Sequence, residues 1–313
     1  NLKDYKGVKI KSVPTFENGK LNAIVYSVIA TFLALFGRYD VIHFHAEGPC
    51  SMIWLPHLFG IHTVATIHGL DWQRAKWGGF ATKFLKFGEK TAAKYADELI
   101  VLSEGTRDYF KETYGRETVF IPNGIDVQNE KKADIITKKY GLEKDGYILF
   151  LARIVPEKGL HYLIDAFMQT DTDKKLVIAG GVSHSGEYAK QIHDMAKDDR
   201  IIFTGFVEGD ELWELYYNCR MYVLPSDVEG MPISLLEAMA CGCECLVSDI
   251  DTAKNVVGEY GYTFKKSDVN DLKNKLCEML GKPKADKAEQ IEYVKNNYSW
   301  DEITDRTLEL YKK

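Results

Sequence analysis

Nine short, almost continuously apolar runs recur along the chain, at 41–44, 63–66, 98–102, 118–121, 147–151, 175–178, 200–203, 221–224 and 244–247. A strand with one wet face alternates apolar and polar residues, whereas a strand covered on both faces does not. Longer segments with helical periodicity separate the runs, and parallel strands need crossover connections of that kind. The pattern predicts an α/β fold of two doubly wound, Rossmann-like domains. The joint falls in the polar, lysine-rich stretch 126–145, which leads into a new strand. In such sheets ligands bind beyond the carboxyl ends of the strands, so the loops 65–72, 121–126, 152–159 and 225–232 are the ones to inspect.

At 313 residues the chain is long enough for about two domains. A net charge of −6 leaves no basic field to attract nucleic acid. Six cysteines do not make a disulfide framework, and Cys241, Cys243 and Cys245 crowd too closely to pair with one another. With no signal peptide, this usage predicts a reducing cytoplasmic location. The longest apolar run, 24–36, is interrupted by Ser27 and Thr31 and falls short of a bilayer span of roughly 20 residues. It is expected to form a buried helix.

The loop 225–232 carries one half of a candidate site. Pro232 suits a first helical turn, where its missing N–H is no loss. Gly230 and Met231 would then offer backbone amides at the positive end of a helix dipole, a seat for a diphosphate. Glu229 precedes that helix, and Glu237 lies eight residues on. Two carboxylates flanking an anion seat make sense if they hold hydroxyl groups on either side of the diphosphate; otherwise they are surface glutamates of a capped helix. The loop 152–159 supplies the opposite charge. Arg153 and Lys158 could neutralise a departing nucleotide diphosphate, a task for a metal or for fixed cations. Taken without the other loop, they would read as solvated charges.

These segments resemble the retaining GT-B glycosyltransferases of family GT4. Glu229 to Glu237 is similar to that family's E-x7-E signature, and 153–159 to its R-x4-K-G segment. Residues 121–126 (Ile-Pro-Asn-Gly-Ile-Asp) resemble its I-P-N-G-V-D turn. The resemblance runs from about Val41 to Val247. It implies an N-terminal acceptor-side domain at 1–128, a C-terminal nucleotide-sugar-binding domain at 129–298 and a final helix at 299–313 packing back toward the first. Arg153 and Lys158 would bind the donor diphosphate, Glu229 the sugar hydroxyls and Glu237 the ribose. Gly205, Phe206 and Val207 would lie beside the base, and Gly230, Met231, Pro232 and Ile233 at the donor. His68 would sit near the sugar and help to organise the transition state. Retaining members are held to react on the front face of the sugar, with the leaving phosphate helping to deprotonate the acceptor. No cofactor and no metal are implied. The family's first domain opens with a strand and a glycine-rich loop, and none precedes Val41, so that domain is expected to lack its N-terminal strands.

The segments Trp54-Leu55-Pro56 and 68–74 also look like bacterial cell-surface polysaccharide enzymes, including rhamnosyltransferases. That implies a glycan or polyprenyl-diphosphate-linked acceptor, with Asp71, Trp72 and Arg74 on the acceptor side. His43 and His45 end a strand near Glu47. They read as acceptor contacts, with Glu47 beside them, or as structural hydrogen-bonding groups. Phe80, Phe84 and Phe87 recur at helical spacing beside Lys83, Lys86, Lys90 and Lys94. This stripe either lies on an anionic membrane, at the inner face, or turns its phenylalanines to the core. Asp249-Ile250-Asp251 mimics a D-x-D metal motif but follows a strand of the second domain. A nicotinamide-dependent oxidoreductase would need G-x-G-x-x-G, which 179–182 lacks. A phosphorylase or epimerase of the same fold and a non-catalytic, transferase-like nucleotide-binding protein are the remaining alternatives.

Overall fold

The computed structural model describes residues 3–15, 19–73, 78–182 and 186–313, with side chains from residue 22 onward in the first helix. Two compact units are formed, one by Asn1–Ile121 with Asp305–Lys313 and the other by Pro122–Thr304.

In the first unit a small antiparallel pair, β1 (Asp4–Tyr5) and β2 (Val8–Lys9), precedes helix α1 (Gly19–Leu35). Strand β3 (Val41–His45) is followed by short helices α2 (Glu47–Cys50) and α3 (Trp54–Leu58), then by β4 (His62–Ile67). A 3-10 turn at Asp71–Gln73 leads toward α4 (Phe80–Tyr95), β5 (Glu98–Val101), α5 (Glu104–Tyr114) and β6 (Val119–Phe120). The four strands β3 to β6 pair in parallel in chain order. Phe44, Ala65, Ile67, Leu99, Val101 and Phe110 build the core beneath them.

The second unit runs α6 (Ile135–Tyr140), β7 (Tyr147–Leu151), a 3-10 turn at Pro156–Lys158, α7 (Leu160–Met168), β8 (Lys175–Ala179) and α8 (Gly186–Met195). It continues with β9 (Ile201–Gly205), α9 (Gly209–Asn218), β10 (Met221–Leu224), α10 (Ile233–Ala240) and β11 (Cys245–Ser248). Then come α11 (Asp251–Val257), β12 (Tyr262–Phe264), α12 (Val269–Leu280), α13 (Ala288–Asn297) and α14 (Trp300–Tyr311). The sheet order is β12-β11-β10-β7-β8-β9, all parallel. The chain reverses direction of winding at β7, and Tyr147, Ile148, Leu149 and Phe150 of that strand are fully buried. A switch point of this kind opens a crevice at the carboxyl ends of the two adjoining strands.

Every expected strand forms, two with the expected ends and the others with ends displaced by no more than two residues. Strand β12 was not expected, because three residues beside Gly261 carry too little periodicity to stand out, and neither were β1 and β2 ahead of Val41, two-residue strands that pair with each other outside the parallel sheet. Helix α1 departs from expectation in its burial. Tyr26, Phe32, Leu33 and Phe36 are exposed, while Ser27 and Thr31 are buried. Both hydroxyls donate to carbonyls of the preceding turn, Ser27 Oγ to Ala23 O at 2.6 Å and Thr31 Oγ1 to Ser27 O at 2.7 Å. Their polarity is satisfied inside the helix, so they can face inward without an unmet hydrogen bond.

The turn 121–126 owes its glycine to packing. A Cβ on Gly124 would stand 2.6 Å from the Trp300 ring, and Ile125 N donates to Tyr298 O at 2.8 Å. These contacts hold the start of α14 within the second unit. The end of the same helix belongs to the first unit, where Arg306 Nη2 donates to Phe120 O and His62 Nε2 meets Leu310 O at 2.9 Å.

Candidate functional site

In the second unit β7 and β10 are parallel neighbours, with Ile148 opposite Met221 and Leu149 opposite Tyr222. The loops 152–159 and 225–232 therefore leave the sheet side by side. Gly159 brings them into backbone contact. Its φ of +66° is one that side chains rarely adopt, and a Cβ there would lie 1.9 Å from Pro225 O. Asp227 N donates to Glu157 O at 2.9 Å, which ties the two loops together.

This register places the two charged segments against each other. Lys158 Nζ donates to Glu229 Oε1 at 2.5 Å, and Ser226 Oγ donates to the same oxygen at 2.6 Å. The two side chains of the ion pair are 14% and 6% accessible. Charge–charge interactions are stronger in such a partly dehydrated setting than on the surface. Arg153 leaves the end of β7 with its side chain exposed.

Helix α10 starts differently from expectation. Pro232 is its N-cap, with φ −77° and ψ 106°, and no side chain caps it. The uncapped amides at the helix start are thus those of Ile233 and Ser234, one turn later than Gly230 and Met231. Met231 is buried; its carbonyl accepts from Asn123 Nδ2 at 3.4 Å, and its Sδ lies 3.1 Å from Asn123 N. Glu237 lies in the middle of α10, where Tyr216 OH donates to its Oε2 at 2.8 Å. Burial holds the Glu237 carboxyl above its ordinary pKa, and the Tyr216 hydrogen bond offsets part of that rise. Gly205 and Phe206 are exposed at the end of β9, Phe206 to 75%, while Val207 is buried. Tyr216 and Ser226 carry no motif, and the sequence offered no signal for either.

The first unit has its own cluster at the carboxyl ends of β3 and β4, which pair His43 with Val64 and His45 with Thr66. His45 Nδ1 and His68 Nε2 share a hydrogen bond at 3.1 Å. The His45 ring stacks on His43 with centroids 4.2 Å apart, and His43 is held by Thr66 Oγ1 at 2.7 Å and Tyr311 OH at 2.6 Å. Burial, then the neighbouring His45 and His68, pull the His43 pKa down to about 3. His45 is lowered by its own burial and by His68. This favours neutral His43 and His45 rings at neutral pH.

Glu47 is fully buried, so its carboxyl faces the interior and offers no surface to an acceptor. Neither of its oxygens has a hydrogen-bond partner among the described residues. Burial first, then the carboxylates of Asp71 and Glu89, push its pKa up to about 9, which keeps it protonated at neutral pH. Glu89 accepts from Trp72 Nε1 and Tyr109 OH, each at 2.8 Å, and from Tyr114 OH at 2.5 Å. Trp72 is thus fixed on Glu89, with Lys86 Nζ 4.1 Å from its ring centre. Asp71 is half-buried in the adjoining turn. Arg74 lies outside the described residues. On α4 the inward face is Leu85, Gly88, Glu89, Ala92 and Ala93, whereas Phe80 and Phe87 are exposed and Phe84 is half-buried. Cys241, Cys243 and Cys245 are buried thiols beneath α10. Asp249 Oδ1 accepts from Lys266 N at 2.9 Å, while Asp251 opens α11.

Two Rossmann-like units with parallel sheets, the second doubly wound with a cation–carboxylate pair at its switch point and the first running β3 to β6 in chain order, make the architecture that of the GT-B glycosyltransferases. The chain belongs to the glycosyl transferases group 1 family, whose model matches residues 132–297, and the Glycosyltransferase Family 4 model matches residues 2–129. Among curated proteins it is 26% identical over 288 residues to alpha-maltose-1-phosphate synthase of Mycolicibacterium smegmatis, covering 82% of this chain and 74% of that one. It is 27% identical over 259 residues to the Escherichia coli UDP-Gal:alpha-D-GlcNAc-diphosphoundecaprenol alpha-1,3-galactosyltransferase, covering 76% and 66%. Among solved structures, Anabaena HepE in complex with UDP-glucose superposes with a TM-score of 0.81 at 19% identity, covering 97% of this chain and 85% of that one.

Proposed function

We propose that this glycosyltransferase takes a sugar from a nucleoside-diphosphate donor, retains its anomeric configuration and needs no metal ion. The reading rests above all on Lys158 Nζ meeting Glu229 Oε1 at 2.5 Å, at the carboxyl ends of adjacent strands β7 and β10. Breaking the bond between the sugar's C1 and the phosphate oxygen leaves a diphosphate with added negative charge. Fixed cations aimed at that charge lower the barrier without reorganising during the reaction. Lys158 and Arg153 serve that role, and the amides of Ile233 and Ser234 complete the anion seat. Glu229, held by Lys158 and Ser226, accepts from sugar hydroxyls. Glu237, set by Tyr216, accepts from the ribose. The acceptor oxygen forms its bond to C1 on the face the diphosphate leaves, and the acceptor's proton passes to the leaving phosphate oxygen.

The acceptor in this reading is a glycan or polyprenyl-diphosphate-linked glycan of a cell-surface polysaccharide, rhamnosyl and other hexosyl donors being the candidates. The galactosyltransferase relative, whose name specifies a diphosphoundecaprenol-linked acceptor, supports it. A lipid-linked acceptor also accounts for α4, which exposes Phe80 and Phe87 beside Lys83 and Lys90, a pattern suited to peripheral contact with an anionic membrane at its cytoplasmic face. No helix of the described residues is long and apolar enough to cross a membrane.

The test begins with calorimetry against UDP, GDP, dTDP, ADP and NAD. Selective binding of one nucleoside diphosphate, lost in Glu237→Ala, is expected; binding of NAD alone would overturn the reading. With the matching sugar donor, Lys158→Ala should lose about a hundredfold or more in turnover. Full activity in EDTA is expected, and inhibition reversed by a divalent ion would contradict the metal-free mechanism.

A further inference from the structure

Two adjoining cavities of the second unit take no part in the donor reading. One, of about 450 Å³, lies between the start of β12 and the start of α13 and is lined by Glu259, Tyr260, Tyr262, Lys287, Glu289 and Gln290. The other, of about 560 Å³, shares Tyr260 and Glu289 with it and continues past Glu292, Tyr293 and Asn296. Residues 289, 292, 293 and 296 recur at i, i+3, i+4 and i+7, so they form one side of α13. We propose that this groove binds a neutral glycan chain, at a site separate from the donor seat.

The separation follows from the sheet. All its strands are parallel, and Lys158 and Glu229 come after the carboxyl ends of β7 and β10, whereas Tyr260 and Gly261 precede the amino end of β12. Tyr262 lies opposite Leu246, and Leu246 opposite Val223, so β12 stands two strands from β10. The groove and the donor seat are therefore at opposite ends of the sheet, and two strand spacings of about 4.8 Å part them across it.

The polar groups of the groove call for a ligand rich in hydrogen-bond donors. Gln290 is 1% accessible, and its amide is fixed because Nε2 donates to Met239 O at 2.9 Å and to Cys243 O at 3.1 Å. Its Oε1 has no hydrogen-bond partner among the described residues. A buried acceptor without a donor is costly, and a hydroxyl entering the cavity that Gln290 lines would supply one. Glu259 and Glu289 are exposed carboxylates, which only accept. Partial desolvation first, then these two carboxylates, raise the pKa of the Tyr260 phenol, so the acids stand beside that ring.

An anion such as a nucleotide would meet Glu259, Asp286 and Glu289 against the single charge of Lys287, and be repelled. A cation would suit acids and tyrosines, but Lys287 already holds that place. Its Nζ donates to Tyr260 O at 2.9 Å and lies 6.0 Å from the Tyr262 ring centre. What remains is a neutral molecule with many hydroxyls and apolar faces, which describes a sugar ring. Half-buried Tyr260 and Tyr293, with centres 5.1 Å apart at 35°, give its C–H faces an aromatic surface. From Glu289 to Asn296 the helix advances about 10 Å, which gives room for more than one ring.

Saturation-transfer NMR of the full chain with neutral linear oligosaccharides of glucose, mannose and galactose tests the site. At least one should bind, with a dissociation constant on the order of 1 mM. Saturating UDP, GDP or dTDP should leave that binding unchanged, as should Glu237→Ala at the donor seat. Tyr260→Ala should weaken it about tenfold or more, and Glu289→Gln, which alters an exposed charge and no core contact, about threefold to tenfold. Amide shifts on titration should concentrate in 259–262 and 286–297. Absence of binding across the panel would overturn the proposal. Competition by a nucleoside diphosphate, or binding indifferent to both variants, would place the sugar elsewhere and overturn it too. So would capture of an oligolysine peptide with no oligosaccharide bound, which would make the groove a peptide site. No nucleotide has to bind in this test, so its outcome is independent of the donor reading.

Discussion

The pair between Lys158 and Glu229 makes a prediction that needs no substrate. Lys158→Ala leaves the Glu229 carboxylate, 6% accessible, with Ser226 Oγ as its remaining hydrogen-bond donor among the described residues. Removing one partner of a buried ion pair costs about 3–5 kcal/mol, because the other charge stays behind without compensation. Lys158 is 14% accessible, so water reaches this edge of the pair and the lower end, about 3 kcal/mol, is expected. Glu229→Gln keeps an oxygen that can accept from both donors, and its cost should be roughly 1–2 kcal/mol. In the double variant the stranded carboxylate is gone, so it should be no less stable than Lys158→Ala alone. The cycle would then show a coupling of about 2 kcal/mol, within the range for groups in contact. Two units make a single unfolding transition ill-defined. Hydrogen exchange at the amides of β7 and β10 is therefore the suitable assay, since it reports opening of this sheet. Lys158→Ala should also lower the melting temperature of the second unit by roughly 6–12 °C, at about 2–4 °C per kcal/mol for a unit of this size. A Lys158→Ala protein within about 0.5 kcal/mol of the wild type, with additive effects in the double variant, would refute the view that the two groups form one buried electrostatic unit.

Tyr216→Phe removes the hydrogen bond to Glu237 and lets burial raise that carboxyl further. Calorimetry should show nucleoside diphosphate binding about tenfold weaker, in line with loss of a hydrogen bond to a charged group. The loss should be larger at pH 6 than at pH 8, because the variant's carboxyl takes up its proton at a higher pH. For Glu47 the folded pKa of about 9 lies above its ordinary 4.5, so the native state holds a proton that the unfolded chain has released. Stability of the first unit should therefore fall as pH rises from about 4.5 to about 9. Glu47→Gln should remove that decline and be more stable than the wild type at pH 8 by at least about 1.4 kcal/mol, the equivalent of one pKa unit; denaturant melts at several pH values would show it. Vesicles containing anionic lipid should bind the protein in low salt, and Lys83→Glu with Lys90→Glu should abolish flotation; unchanged binding would exclude α4 as the contact.

Much of this molecule is legible in the sequence, because some of its physics is local. A strand covered on both faces must be apolar throughout, so the runs marked the strands, and helical segments between them dictated parallel pairing. Arg153 and Lys158 stood out because neutralising a diphosphate calls for fixed cations, and Gly159 only through the resemblance of 153–159 to a family segment. Burial was harder to read, and α1 shows why. Ser27 and Thr31 satisfy their hydroxyls within the helix, so polarity there said nothing about which face turns inward. Pairing across the sheets lay beyond the sequence altogether. Parallel register joined β7 to β10 and so set Lys158 on Glu229, 71 residues away. It likewise joined β3 to β4 and set His45 beside His68. Glu47 reads as a surface acid beside two histidines until folding closes α4 over it. Which residues carry chemistry is a matter of residue type and spacing; which of them share a proton or a charge depends on distances that only the folded chain brings within hydrogen-bonding reach.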